Sequence, residues 1–142
     1  MFLSSRNVFR LVLALCCPLL ASSALADSKV KPTYIAGNYV ASPKAELATS
    51  SLARPKAYEL AMSRPGAYVV RGRGRSMQPL YQSGTLLVVQ RVPFEELKRG
   101  MSVVFKARNR SITHVLVAKT KDGWRTTGLN NRRHDYVPVN AE

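Results

Sequence analysis

Beyond Pro65 the chain is written in short apolar runs, and their spacing leaves few folds open. Residues 67–71, 85–91, 102–106, 112–119 and 124–127 are rich in Val, Ile, Leu and Thr and are broken by Gly, Asn or Asp. Lys121-Asp122-Gly123 predicts a hairpin turn between the last two runs. Residues 93–98 have room for one helical turn, with Glu95 and Glu96 near its positive end. The pattern predicts a mainly β domain over residues 66–142, built on a small, curved, mostly antiparallel sheet. A single sheet cannot bury both faces by itself. It must fold over on itself or pack against the chain that precedes it. About 75 residues make a thin core, and marginal stability is expected.

Residues 27–65 have a different texture. Pro32, Pro43, Pro55 and Pro65 recur among Ala, Ser and Lys, so no long periodic pattern survives. This region reads as a linker or irregular N-terminal arm. Residues 52–62 could form a short helix, with Tyr58 and Leu60 or Met62 touching the body; the alternative is an extended arm on the domain surface.

The first 26 residues have the layout of an export signal. Arg6 and Arg10 are its basic part, residues 11–20 are apolar apart from Pro18, and Ala24-Leu25-Ala26 is a small-x-small site. The apolar run is short of the roughly 20 residues that span a bilayer. Removal after Ala26 is expected, which places the body outside the cytoplasm, in a periplasm; the alternative is a membrane anchor. A lipid anchor is disfavoured because Leu15 precedes Cys16, where such signals want a small residue. Cys16 and Cys17 are the only cysteines, so the body can form no internal disulfide and has no cysteine nucleophile.

The formal charge is +14, and setting aside Arg6 and Arg10 leaves +12 on residues 27–142. Such a charge attracts anionic partners, a membrane surface among them, but says nothing about fold. No cofactor site is visible: there is no phosphate loop, and His114 and His134 have no metal-ligand companions at useful spacing.

Within the β pattern three stretches carry chemistry. Ser76 lies in Gly74-Arg75-Ser76-Met77-Gln78-Pro79-Leu80, a loop between two expected strands, where a hydroxyl can be presented to a substrate. A serine hydroxyl needs a base near neutral pH. His114 sits in Ile112-Thr113-His114-Val115-Leu116-Val117, sharing one face with Ile112 and Leu116. Lys106, at a strand end, could serve instead if burial lowered its pKa. A carboxylate to orient the imidazole could come from Asp135, after Asn130-Asn131-Arg132-Arg133-His134, or from Asp122 in the expected turn. Without chemistry, Ser76 is a turn residue, His114 a partly buried structural histidine and Asp122 a hairpin residue.

Taken together these stretches resemble a known family. Gly74-Arg75-Ser76-Met77-Gln78-Pro79 is similar to the nucleophile box of type I signal peptidases, shared with LexA-type self-cleaving repressors. Residues 97–105, Leu-Lys-Arg-Gly-Met-Ser-Val-Val-Phe, resemble the Gly-Asp-Val-Val-Phe strand of that family. Thr113-His114-Val115-Leu116-Val117 is similar to the His-Arg-Val segment of its archaeal and endoplasmic-reticulum branch, in which histidine replaces the bacterial lysine. Thr127-Gly128-Leu129-Asn130-Asn131, with Asp135 downstream, resembles the Lys-Gly-Asp-Asn-Asn box. The order matches, and the 38 residues between Ser76 and His114 fit the histidine branch.

The resemblance covers about residues 66–140 and implies a LexA/signal peptidase catalytic core. It implies Ser76 as nucleophile, His114 as general base and Asp135 as the group orienting His114. The oxyanion hole would use the Ser76 N–H with help from Gly74, which has no hydroxyl to donate. Substrates would be extended polypeptides with small side chains at the cut, docked as an added strand. The chain departs from the family at Gly84-Thr85, Gly100-Met101 and Gly128-Leu129, where the family has Gly-Asp, and at Val115, where the histidine branch has Arg. The family usually has one more strand after the point reached at Glu142, which implies a different closure or a truncated reading frame.

Two functions follow. One is a serine endopeptidase of the signal peptidase type acting on exported or envelope polypeptides through Ser76, His114 and Asp135. The other is a catalytically degenerate domain serving as a basic binding module at the envelope, with Arg71, Arg73, Arg75, Arg132 and Arg133 as its contacts. Nucleic acid is a disfavoured partner, since an exported protein rarely meets it and few aromatics interleave the basic residues.

Overall fold

The computed structural model describes residues 33–141 and, as backbone, residues 9–12. Strands are β1 (Phe9–Val12), β2 (Thr33–Ile35), β3 (Asn38–Val40), β4 (Tyr68–Arg71), β5 (Leu86–Val92), β6 (Ser102–Ala107), β7 (Arg110–Thr120) and β8 (Gly123–Thr127). The helix α1 spans Ser50–Met62, and a 3-10 turn covers Phe94–Glu96. The expected strands and both expected turns are present within one or two residues, because each apolar run is bounded by residues that favour turns.

One sheet runs in the order β4-β5-β1-β6-β7-β8, with every pairing antiparallel. β1 stands mid-sheet: Phe9–Val12 pairs with Val92–Val89 of β5, while Arg10 and Leu11 pair with Val104 and Val103 of β6. These four residues belong to the segment with the layout of an export signal. The rest of that segment, with its cysteines and the Ala24-Leu25-Ala26 site, lies outside the described residues. Beyond β8, Val139 bridges back to Trp124 through two hydrogen bonds of 2.7 and 2.8 Å.

Both faces of the sheet are covered, each by part of the arm. β5 shows how. Leu87 and Val89 point to one face, where they pack with Val40, Met77, Leu80, Tyr81, Val104, Val115 and Leu129. Leu86 and Val88 point to the other, against Ala57, Leu60 and Ala61 of α1. A strand buried on both sides reads as a continuous apolar run, and Leu86-Leu87-Val88-Val89 is one. A third cluster, Leu97, Val103, Phe105, Leu116, Trp124 and Val139, fills the β6–β8 end.

The arm is therefore more ordered than its prolines suggest. β2 and β3 form a hairpin around Ala36-Gly37, at φ 50° and 77°. Its continuation is tied to the body: Ala41 N–H donates to Gly100 O at 2.9 Å, Ser102 N–H to Ser42 Oγ at 2.7 Å, and Tyr81 Oη–H to Pro43 O at 3.2 Å. α1 tolerates Pro55 within it and docks through Ala57 and Ala61, one turn apart on one face. Leu60 makes the expected contact, whereas Tyr58 and Met62 are exposed. Among the described residues no helix is long and apolar enough to cross a membrane.

Candidate functional site

Three elements converge on Ser76. β4 ends at Arg71, and Gly72 extends the ladder with N–H to Thr85 O at 2.8 Å while its own carbonyl accepts from Gly84 N–H at 2.9 Å. The chain then leaves the sheet through Gly74 in the left-handed region, at φ 88°, which glycine adopts without strain. Ser76 follows in a turn, half-buried. Met77 beside it is sunk in the core and anchors that turn.

β7 carries His114, which pairs across the sheet with Val103 and is buried. Asp135 lies just beyond β8, held by its own N–H bond to Thr126 O at 2.9 Å. Its Oδ2 is 2.6 Å from His114 Nδ1 and accepts a 2.6 Å bond from Thr126 Oγ1. The imidazole and carboxylate side chains are 6% and 19% exposed, so the pair is largely withheld from competing water. Burial pushes the Asp135 carboxyl up, but the hydrogen bonds from His114 and Thr126 and the charges of His114 and His134 outweigh it. The net result lies below the ordinary value of 3.8. An ionised carboxylate only accepts, so the bond requires a proton on Nδ1. In the neutral form of the ring the lone pair is then on Nε2.

Nε2 faces Ser76 across Gly128. A side-chain carbon placed on Gly128 would lie 2.9 Å from His114 Nε2 and 2.8 Å from the Ser76 carbonyl oxygen. The same stretch is bonded to the serine directly, since Asn130 N–H donates to Ser76 O at 2.8 Å. Gly128 thus lets the loop after β8 pass between imidazole and serine. Among the described residues no hydrogen bond joins Ser76 Oγ to the imidazole. The Ser76 N–H makes no backbone hydrogen bond there either. Gly74, the other expected contributor, is exposed.

The alternatives fall away from this centre. Lys106 is an exposed side chain at the far end of β6, paired with Ser111 in the ladder. Asp122 is exposed in the β7–β8 turn, eight residues after His114, and the six residues from His114 to the end of β7 alone span about 20 Å at strand rise. Thr126 escapes sequence reasoning, since it looks like any strand threonine. Gly128 and Asn130 were legible as members of the family-like box, but their contacts with His114 and Ser76 were not.

Two of the departures from the family pattern, Leu129 and Val115, have packing reasons. Leu129 is 3% exposed and joins the core with Met77, so a carboxylate there would be buried in hydrocarbon. Val115 is wholly buried in the same cluster, where an arginine would have no route to water.

Comparison with curated proteins and with solved structures finds no match. Comparison with protein families matches residues 36–142 to Peptidase S24-like. That span contains Ser76, His114 and Asp135 and begins at the β2–β3 hairpin, so the arm from there on is part of the matched unit. The family supports a serine-peptidase type of function on a LexA/signal peptidase fold. This chain belongs to the Peptidase S24-like family.

Proposed function

We propose that the protein is a serine endopeptidase in which Ser76 attacks the scissile carbonyl, His114 is the general base and Asp135 positions the imidazole. The observation that supports this most is the 2.6 Å bond from His114 Nδ1 to Asp135 Oδ2, with Nε2 turned towards the serine. Nε2 takes the hydroxyl proton as Oγ bonds to the carbonyl carbon. The Ser76 N–H meets the oxyanion. The protonated imidazole then gives its proton to the departing amine, leaving an acyl-enzyme that water cleaves by the reverse use of the same base. The missing Oγ–Nε2 bond fits a site that tightens when substrate closes it.

The substrate in this reading is an extended exported or envelope polypeptide with small residues at the cut. The protein works outside the cytoplasm, addressed there by residues 1–26. The histidine at the base position favours kinship with the Ser–His branch. The test is the full chain and its Ser76→Ala, His114→Ala and Asp135→Asn variants, incubated with a peptide containing Ala-x-Ala and also alone, with intact mass followed over time. New fragments from the parent chain only are expected. Cleavage that survives Ser76→Ala rejects the mechanism, and no cleavage by a folded parent chain favours the basic binding module.

A further inference from the structure

Two loops bracket the serine, and both are armed with arginine. The approach to Ser76 carries Arg73 and Arg75, and the loop hydrogen-bonded to Ser76 O through Asn130 runs on into Arg132 and Arg133. All four are exposed. The ion pairs among the described residues are Lys56–Glu46 and His114–Asp135, so none of the four has a carboxylate partner there. Among the described residues the other acids sit on other elements: Glu46 and Glu59 beside and on α1, Glu95 and Glu96 in the 3-10 turn, and Asp122 at the β7–β8 hairpin. Asp135 belongs to the site itself, and its carboxylate is committed to His114 and Thr126. Two arginine pairs without a carboxylate partner among the described residues thus stand within a few residues of Ser76 and of Asn130, which is bonded to it.

We infer that the site selects polypeptides with acidic side chains flanking the cleavage point. This deepens the proposed function and rests on it: small residues would enter at Ser76 while Asp or Glu to either side meet the arginine pairs. Guanidinium groups suit this role because they bind carboxylates in bidentate fashion. Exposed pairs are individually worth only a few-fold. Four of them converging on one extended chain would multiply to about tenfold or more at low ionic strength and fade as salt screens them. Nucleic acid offers the same sign of charge, but the arginines cluster about a group suited to acyl transfer, which favours a peptide.

The test uses the full chain and three peptides sharing an Ala-x-Ala centre, with flanks of Glu, Gln or Lys. Binding is read by fluorescence anisotropy on the Ser76→Ala protein, which needs no turnover, and cleavage on the parent chain. The Glu peptide should bind and be cut about tenfold better than the Gln peptide at low salt, with the gap closing near 0.5 M salt, where the Debye length is only about 4 Å. Arg73→Gln/Arg75→Gln and Arg132→Gln/Arg133→Gln should each cut that gap to about threefold, since the four contributions multiply. Arg132→Glu/Arg133→Glu should move the preference towards Lys. Equal binding of all three peptides overturns the inference, even if all are cleaved. Tighter binding of a single-stranded oligonucleotide of equal charge also overturns it. Selective binding without cleavage would sustain the acidic-peptide surface and reject the peptidase.

Discussion

His114 Nδ1 and Thr126 Oγ1 each lie 2.6 Å from the same Asp135 oxygen, although the three residues come from β7, β8 and the segment beyond it. The carboxylate therefore fixes the ring twice over, directly and through its own anchorage to Thr126. Asp135→Asn should keep the fold and lower kcat by about 10³–10⁴-fold, because an amide can present N–H to Nδ1 and force the wrong tautomer. Thr126→Val removes only the anchorage and should cost about tenfold. Kinetics on a cleaved peptide, with far-UV circular dichroism as the folding control, separates the two.

The same carboxylate links stability to pH. Its pKa in the folded protein is depressed below 3.8, so its contribution is present in full above the ordinary carboxylate range. That contribution is lost as pH falls through the folded value. Urea midpoints of the parent chain and Asp135→Asn should differ most near neutrality and converge as pH falls below 3.8. A gap that persists unchanged to strongly acid pH would contradict the depressed value.

Much of this was legible in the sequence because the information was local. The runs around Val69, Val88, Val104 and Val115 announce strands, and the pairing of His114 with Asp135 was expected from the family-like order of their stretches. The hairpin at residues 33–40 was hidden because its strands are three residues long and gain their stability from Val40 entering the core. β1 was hidden for a different reason: an apolar run beside basic residues reads equally as an export signal or as a strand. Thr126 was missed because its partner is set by the return of the chain after β8, a tertiary event with no local mark. Leu129 was readable only as a lost acid, whereas its packing against Met77 shows what replaced it.

Gly128 offers a sharper probe of the site than removal of any reacting group. A methyl there would meet the backbone oxygen of Ser76 and the ring of His114 at once, and the backbone can yield only by moving the serine. Gly128→Ala should destabilise the protein by about 1–3 kcal/mol and lower activity by about 10²-fold or more, since displacements near 1 Å cost that much. The expected pattern is a modest fall in unfolding midpoint beside a large fall in kcat. Full activity in Gly128→Ala would show that base and serine do not meet across this residue.

The strand Phe9–Val12 poses the last question, since β5 and β6 meet through it. It pairs along four residues with β5 and two with β6. At about 1 kcal/mol net per hydrogen bond, its loss should cost several kcal/mol, a large share of the roughly 5–15 that holds a domain together. A chain beginning at residue 27 should therefore unfold on the order of 10 °C or more below the full chain. It should also aggregate more readily, because the facing edges of β5 and β6 would be left unpaired. Differential scanning calorimetry with light scattering on both chains checks this. Equal midpoints would mean that the sheet closes without β1, whereas a lowered midpoint restored by adding a peptide of residues 5–16 would show that the slot accepts a strand supplied in trans.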